Sequence, residues 1–177
     1  EVFAFEPDAQ NFSVLEKNHY LNREKIKNRF VTLNMGLSKG PALLPLLVQE
    51  FLAGSHGKVF QFSKRKVQRE MESEHVQHAL VDSIDNLISR FDFPCPNYIK
   101  IDVDGCERLV LEGTCKAFGD RSLRSVLIET DDGSLSEITS RMRAYGFNAV
   151  DSHEIREITG SLVRGVRNHQ FDRDQEA

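Results

Sequence analysis

The sequence predicts an α/β domain built on a mostly parallel sheet. Three observations lead there. Strand-like and helix-like segments alternate along much of the 177 residues, as in a parallel sheet covered on both faces. A hydrophobic content of 40%, a charged content of 28% and a net charge of −4 describe a globular chain with one sizeable core. They do not describe a disordered chain or a general nucleic-acid binder. Finally, several strand-like segments end in acidic residues, at the rim where such sheets bind ligands.

The elements follow in order. "EVFAF" (1–5) is β-rich and ends at Glu6-Pro7-Asp8; "DAQNFSVLEKNHYLN" then has helical character, with Asp8 able to cap its start. "RFVTLNM" (29–35) is strand-like and closed by Gly36. Residues 37–80 read as an insertion with small elements of its own. Within it "PALLPLLVQEFLAG" suggests an apolar helix interrupted by Pro45, "KVFQF" a short strand, and "HVQHALV" (75–81) another, leading into "DSIDNLISRF". The basic cluster "SKRK" (63–66) reads as a solvated loop in preference to a phosphate-binding patch.

Regular alternation then returns. "NYIKIDV" is a strand, and "CERLVLEGTCKAF" a helix with Cys106, Leu109 and Val110 on one face. "LRSVLIET" is the next strand. "LSEITSRMRAYG" carries a helical stripe of Leu135, Ile138, Met142 and Tyr145, ended by Gly146. "FNAV" and "SLVRGVRNHQF" complete the set as strands. The whole chain, 1–177, reads as a single domain.

The three cysteines, Cys95, Cys106 and Cys115, have no zinc-ligand spacing, and their odd number argues against a disulfide framework. A reducing, cytoplasmic compartment is the expectation. The six histidines are scattered, and His75 with His78 is a weak metal candidate. No apolar run approaches the ~20 residues of a membrane span, and no signal peptide is visible. The chain opens without methionine and enters a strand at once, the expected start of a fragment.

The acidic rim is the chemical signal. Its members are Glu6, Asn34, Asp102, Asp104, Glu129, Asp131 and Asp132. An acid like Glu6, at a strand end before a helix, can accept two hydrogen bonds from a ribose diol, or can simply cap that helix. In "NYIKIDVDG" strand alternation places Ile99, Ile101 and Val103 on one face, with Lys100, Asp102 and Asp104 on the other. A lysine within a strand requires an acidic partner if it is buried. Glu107 falls in the first turn of the next helix, where the helix dipole favours it. Asp131-Asp132-Gly133 reads as a turn, whereas Glu129 sits where its strand is still packed.

The stretches "VFAFEPDAQNFSVLEKN", "NMGLS", "IDNLI", "YIKIDVDGCERLVLEG" and "VLIET", in this order, resemble the FkbM family of S-adenosylmethionine-dependent methyltransferases. The resemblance covers nearly the whole chain and is most specific in the "KID-V-acidic-G-x-E-x-x-V-L-x-G" block. It implies a Rossmann-like methyltransferase fold, a three-layer sandwich that this chain enters at its second strand, N-terminally truncated of the first strand and glycine loop. It also implies S-adenosyl-L-methionine as cofactor, with Glu6 on the ribose hydroxyls, Asn34, Met35 and Gly36 against the adenine, and Asp102 near the methionine end. Asp104, Glu107 and Glu129 are the implied candidates for the catalytic base, with Lys100 orienting one of them. Asp104 departs from the glutamate more common in the family, a carboxylate shorter by one methylene. No metal is required, although a carboxylate cluster can hold Mg²⁺. The implied acceptors are hydroxyl groups of sugars, glycolipids or small metabolites, with no nucleic acid as partner.

Two other readings use the same residues. "YIKIDVDG" also fits the strand-then-DxDG signature of haloacid dehalogenase-like phosphatases, with "IETDD" as the magnesium-binding acids. Against it, Cys106 stands where that motif has Thr or Val, and about a hundred residues precede it. The third reading is a catalytically inactive methyltransferase-like scaffold.

Overall fold

The structure is a computed structural model that describes residues 1–27, 29–55, 57–61, 73–156 and 162–174. His56 and the "SKRK" cluster lie outside them. The chain divides into two compact units, 1–83 and 84–177.

The first unit opens with strand β1 (Val2–Phe5), helix α1 (Ala9–Ile26) and strand β2 (Phe30–Leu33). β1 and β2 pair in parallel, Val2 opposite Phe30 through Phe5 opposite Leu33. The Asp8 side chain caps α1, its Oδ1 accepting the Asn11 N–H at 2.8 Å. Lys27 ends the helix in the left-handed region (φ 51°), its N–H donating to the Arg23 carbonyl. The Thr32 hydroxyl bonds Glu16, fastening the helix to its strand.

Four further strands follow: β3 (Gly36–Leu37), β4 (Ala42–Val48), β5 (Lys58–Phe60) and β6 (His75–Asp82). They form a sheet in the order β3-β6-β4-β5, in which β4 runs antiparallel to both neighbours. The helix expected across Pro45 is therefore a strand. An apolar run this short has no periodicity that separates a buried strand from a buried helix. Pro45 survives in the ladder because of where its missing N–H points. Its carbonyl accepts the Gln61 N–H beyond the end of β5, and in a strand the N–H and C=O of one residue face the same side. The lost donor therefore falls at the end of the β4–β5 ladder and leaves the longer β4–β6 ladder intact.

The second unit runs through α2 (Ile84–Phe91), β7 (Tyr98–Ile101), α3 (Glu107–Glu112) and α4 (Cys115–Gly119). It continues with β8 (Ser125–Asp131), α5 (Asp132–Ala144), β9 (Phe147–Arg156) and β10 (Leu162–Arg173). The sheet order is β7-β8-β10-β9. Val126, Ile128, Phe118, Phe147, Phe171 and Met142 are fully buried in its core. The helix expected over 106–118 is two short ones, broken at Gly113-Thr114. Asp85 caps the second by accepting the N–H groups of Lys116 and Ala117.

This architecture corrects the expected mostly parallel, three-layer Rossmann-like sandwich. Among the described residues only β1–β2, β3–β6 and β7–β8 pair in parallel, whereas β4–β5, β4–β6, β8–β10 and β9–β10 are antiparallel. The sheets are mixed. The physical source is twofold: the 37–80 stretch contributes β4, antiparallel to both β5 and β6, and β10 pairs antiparallel with both β9 and β8.

Candidate functional site

Each unit carries an acidic strand end. In the first, Glu6 follows β1 directly, its N–H donating to the Leu33 carbonyl at 3.0 Å. Its Oε1 accepts the Asp8 N–H at 2.8 Å, which fixes the carboxylate at the strand end. Burial pushes the Glu6 carboxyl above its ordinary range, and the Asp8 charge adds to this; the Asp8 N–H and Lys58 oppose it. The Asn34 side-chain amide donates to the Glu6 carbonyl at 2.9 Å and also reaches Pro7 O. Asn34 therefore ties the end of β2 to the turn after β1. Met35 is half-buried. At Gly36 a Cβ would meet the Phe60 ring at 2.7 Å, so the ring itself demands glycine there.

Asp8 is the residue that sequence reasoning undervalued. It is 1% exposed, and its Oδ2 has no hydrogen-bond partner. Lys58, also buried, lies 3.9 Å from Oδ1 and donates to the Ser55 carbonyl and hydroxyl. A helix-capping aspartate is legible in sequence; its buried cation, fifty residues on, is not.

In the second unit β7 pairs in register with β8, Lys100 opposite Leu127 and Ile101 opposite Ile128. The acidic partner of Lys100 is Asp102, at 2.8 Å, and both are substantially exposed. The chain then turns through Asp104 (φ 43°) and Gly105 (φ 89°), two consecutive left-handed residues. Aspartate and glycine are among the residues that tolerate this conformation best. Glu107 opens α3, and its Oε1 reaches back to accept the Gly105 N–H at 2.8 Å. It is 8% exposed. Burial raises its carboxyl against the pull of those backbone donors, with Asp131 and Asp104 adding to the rise. Asp131 itself caps α5 through the Ser134 N–H, and Asp132-Gly133, expected in a turn, instead begin that helix.

Glu129 lies on β8, half-buried, with its carboxyl raised first by burial and then by Asp102 and Asp104, while Lys100 opposes. The Asp102 charge thus acts directly on Glu129. The second unit thus gathers Lys100, Asp102, Asp104 and Glu129, with Glu107 and Asp131 interacting beside Asp104. Among the described residues no three His, Cys, Asp or Glu side chains assemble as metal ligands. Asn168, which sequence reasoning missed, sits directly opposite Glu129 on β10. Only the strand register reveals it.

Residues 1–149 match the family described as the methyltransferase FkbM domain. The chain belongs to this family. In fold it is similar to the crystal structure of methyltransferase FkbM from Methylobacillus flagellatus KT, with a TM-score of 0.63 at 15% identity. That alignment covers 97% of this chain and 36% of the other, so the chain spans about a third of that relative's length. No curated protein sequence matches it. No helix among the described residues is long and apolar enough to cross a membrane.

Proposed function

We propose that this FkbM-family domain serves S-adenosylmethionine-dependent methyl transfer to a hydroxyl group on a sugar, glycolipid or small metabolite. The observation that carries the reading is Glu6, a half-buried carboxylate fixed at the end of a parallel strand by the Asp8 N–H. The residues present fit the cofactor in chemical kind. Glu6 would hold the ribose hydroxyls, and the Asn34–Gly36 turn would border the adenine. Bound S-adenosylmethionine supplies an electrophilic methyl on a cationic sulfur, which an acidic environment suits.

The protein's own task is positioning and proton removal. Orienting the acceptor oxygen for in-line displacement accounts for most of the rate, and a base that takes its proton contributes roughly 10²–10⁴-fold. Asp104, Glu107 and Glu129 are the candidate bases. Two of them, Glu107 and Glu129, are held above the ordinary carboxylate range, which brings a base closer to neutral pH and makes it more effective.

The test is calorimetric titration of S-adenosylhomocysteine into the protein that carries this chain, as wild type and as Glu6→Ala. Loss of two hydrogen bonds to a charged acceptor predicts at least about tenfold weaker binding by the variant. Equal affinity would remove the ribose assignment. No binding by folded wild type would remove the cofactor.

A further inference from the structure

The register of the second unit sets Glu129 opposite Asn168, whose side-chain carbonyl lacks a donor. Asn168 is its direct cross-strand partner, so the two side chains leave the same face of the sheet roughly 5 Å apart at Cβ. The Asn168 Oδ1 is enclosed and has no hydrogen-bond donor. An orphaned buried carbonyl of this kind costs about 1–3 kcal/mol unless a donor reaches it. A second neighbour is Asp102, whose charge raises the Glu129 carboxyl and which pairs with Lys100 at 2.8 Å. Asp102 is committed to that cation as a carboxylate, an acceptor with no proton to offer.

Glu129 therefore lies between two acceptors. An ionised carboxylate there would give neither of them a donor. A proton on Glu129 satisfies one of them and relieves the repulsion from Asp102. The other groups around Glu129 do not compete for this role. Lys100 is engaged by Asp102, and Asp104 carries negative charge. The His153–Asp151 pair (3.0 Å) lies beyond Asn168 on β9, with His153 opposite Asn168. Arg167 pairs with Thr130, one position along, and so leaves the opposite face.

We propose that Asn168 is a positioning residue for Glu129: its side-chain carbonyl receives the protonated Glu129 carboxyl and so makes Glu129 the group that takes the proton of the acceptor hydroxyl. The step moves one proton, from the acceptor oxygen to a Glu129 carboxylate oxygen, which then donates to Asn168 Oδ1. Glu107 already spends one oxygen on the Gly105 N–H, a bond that favours its ionised form. The inference rests on the methyl-transfer reading for the identity of the hydroxyl, but the Glu129–Asn168 pair is testable without it.

The experiment follows the Glu129 side-chain carboxyl carbon by NMR through a pH titration, with no cofactor present. It uses the chain as wild type, Asn168→Ala and Asn168→Leu. Loss of the receiving carbonyl should lower the Glu129 midpoint in both variants by about half to one pH unit, the size of one net hydrogen bond. A rise in the alanine variant would show that the amide presents its N–H₂ to the carboxylate, the reverse orientation, and would overturn the proposal. No change would also overturn it. A fall in alanine alone would trace the effect to water entering the gap, because leucine removes the carbonyl while keeping the site filled. The S-adenosylhomocysteine titration fails or succeeds independently, so the two claims are separable.

Discussion

The two strand ends, after β1 and after β7, use one backbone device for different purposes. Each follows a parallel strand, turns within a few residues and enters a helix, and each has a glutamate whose Oε1 accepts an N–H two residues away. Glu6 takes the Asp8 N–H, and Glu107 takes that of Gly105. Around the first turn the neighbouring charges are buried and paired within the fold, Asp8 with Lys58. Around the second, the Lys100–Asp102 pair is exposed, and the Asp104 charge acts on both Glu107 and Glu129. The same local geometry therefore carries a buried ion pair beside it in one unit and a cluster of acids with an exposed ion pair in the other. What separates them is where the cation sits.

The largest difference should appear in stability. Asp8→Ala removes a helix cap and leaves a buried lysine without its carboxylate, so a loss of about 3 kcal/mol or more is expected. Asp102→Ala breaks a pair that is mostly in solvent and should cost no more than about 1 kcal/mol. Urea denaturation of the two variants measures both. Comparable losses would erase the distinction between the buried pair and the exposed one.

A smaller effect should appear in the pH dependence. Glu107 has its carboxyl raised by folding, so between its unfolded and folded pKa values the native state binds more protons than the unfolded one. Stability contributed by this group is present below the unfolded pKa and is lost as pH rises through the folded value. Glu107→Gln keeps an oxygen for the Gly105 N–H and cannot ionise. The variant should match wild type in acid and exceed it near neutrality. Thermal melts from pH 4 to 8 check this, and a variant less stable than wild type at pH 7 would show that the charge is favourable there.

How far the sequence revealed these features depended on their range. The βαβ opening, the Asp8 cap and the Glu107 helix start are encoded within a few residues, and each was legible; for Lys100 the sequence implied an acidic partner without singling out Asp102. Pro45 misled because an apolar run around a proline resembles a broken helix until its two partner strands are known. The overall sheet class failed for the same reason: alternating helices imply parallel pairing, and nothing local in "FNAV" or "SLVRGVRNHQF" shows that these strands form a hairpin. Asn168 and Lys58 were invisible because their partners lie 39 and 50 positions away. Cross-strand register, not composition, brings them to the acids they serve.

The most delicate comparison is within the acid cluster, between the stability of the Lys100–Asp102 pair and its electrostatic effect. Lys100→Met should change stability by no more than about 0.5 kcal/mol, because the side chain is 59% exposed and its ammonium is held by one solvent-facing carboxylate. Its effect on Glu129 should be easier to see. Lys100 opposes the rise of the Glu129 carboxyl, while Asp102 promotes it. Removing the lysine leaves the Asp102 charge uncompensated beside Glu129, so the Glu129 midpoint should move further up. Carboxyl NMR on the folded variant reads this directly, and 1 M salt should reduce the shift if it is Coulombic. An unchanged midpoint would mean that water already screens Lys100 from Glu129. The exposed pair would then serve only to hold Asp102 in place.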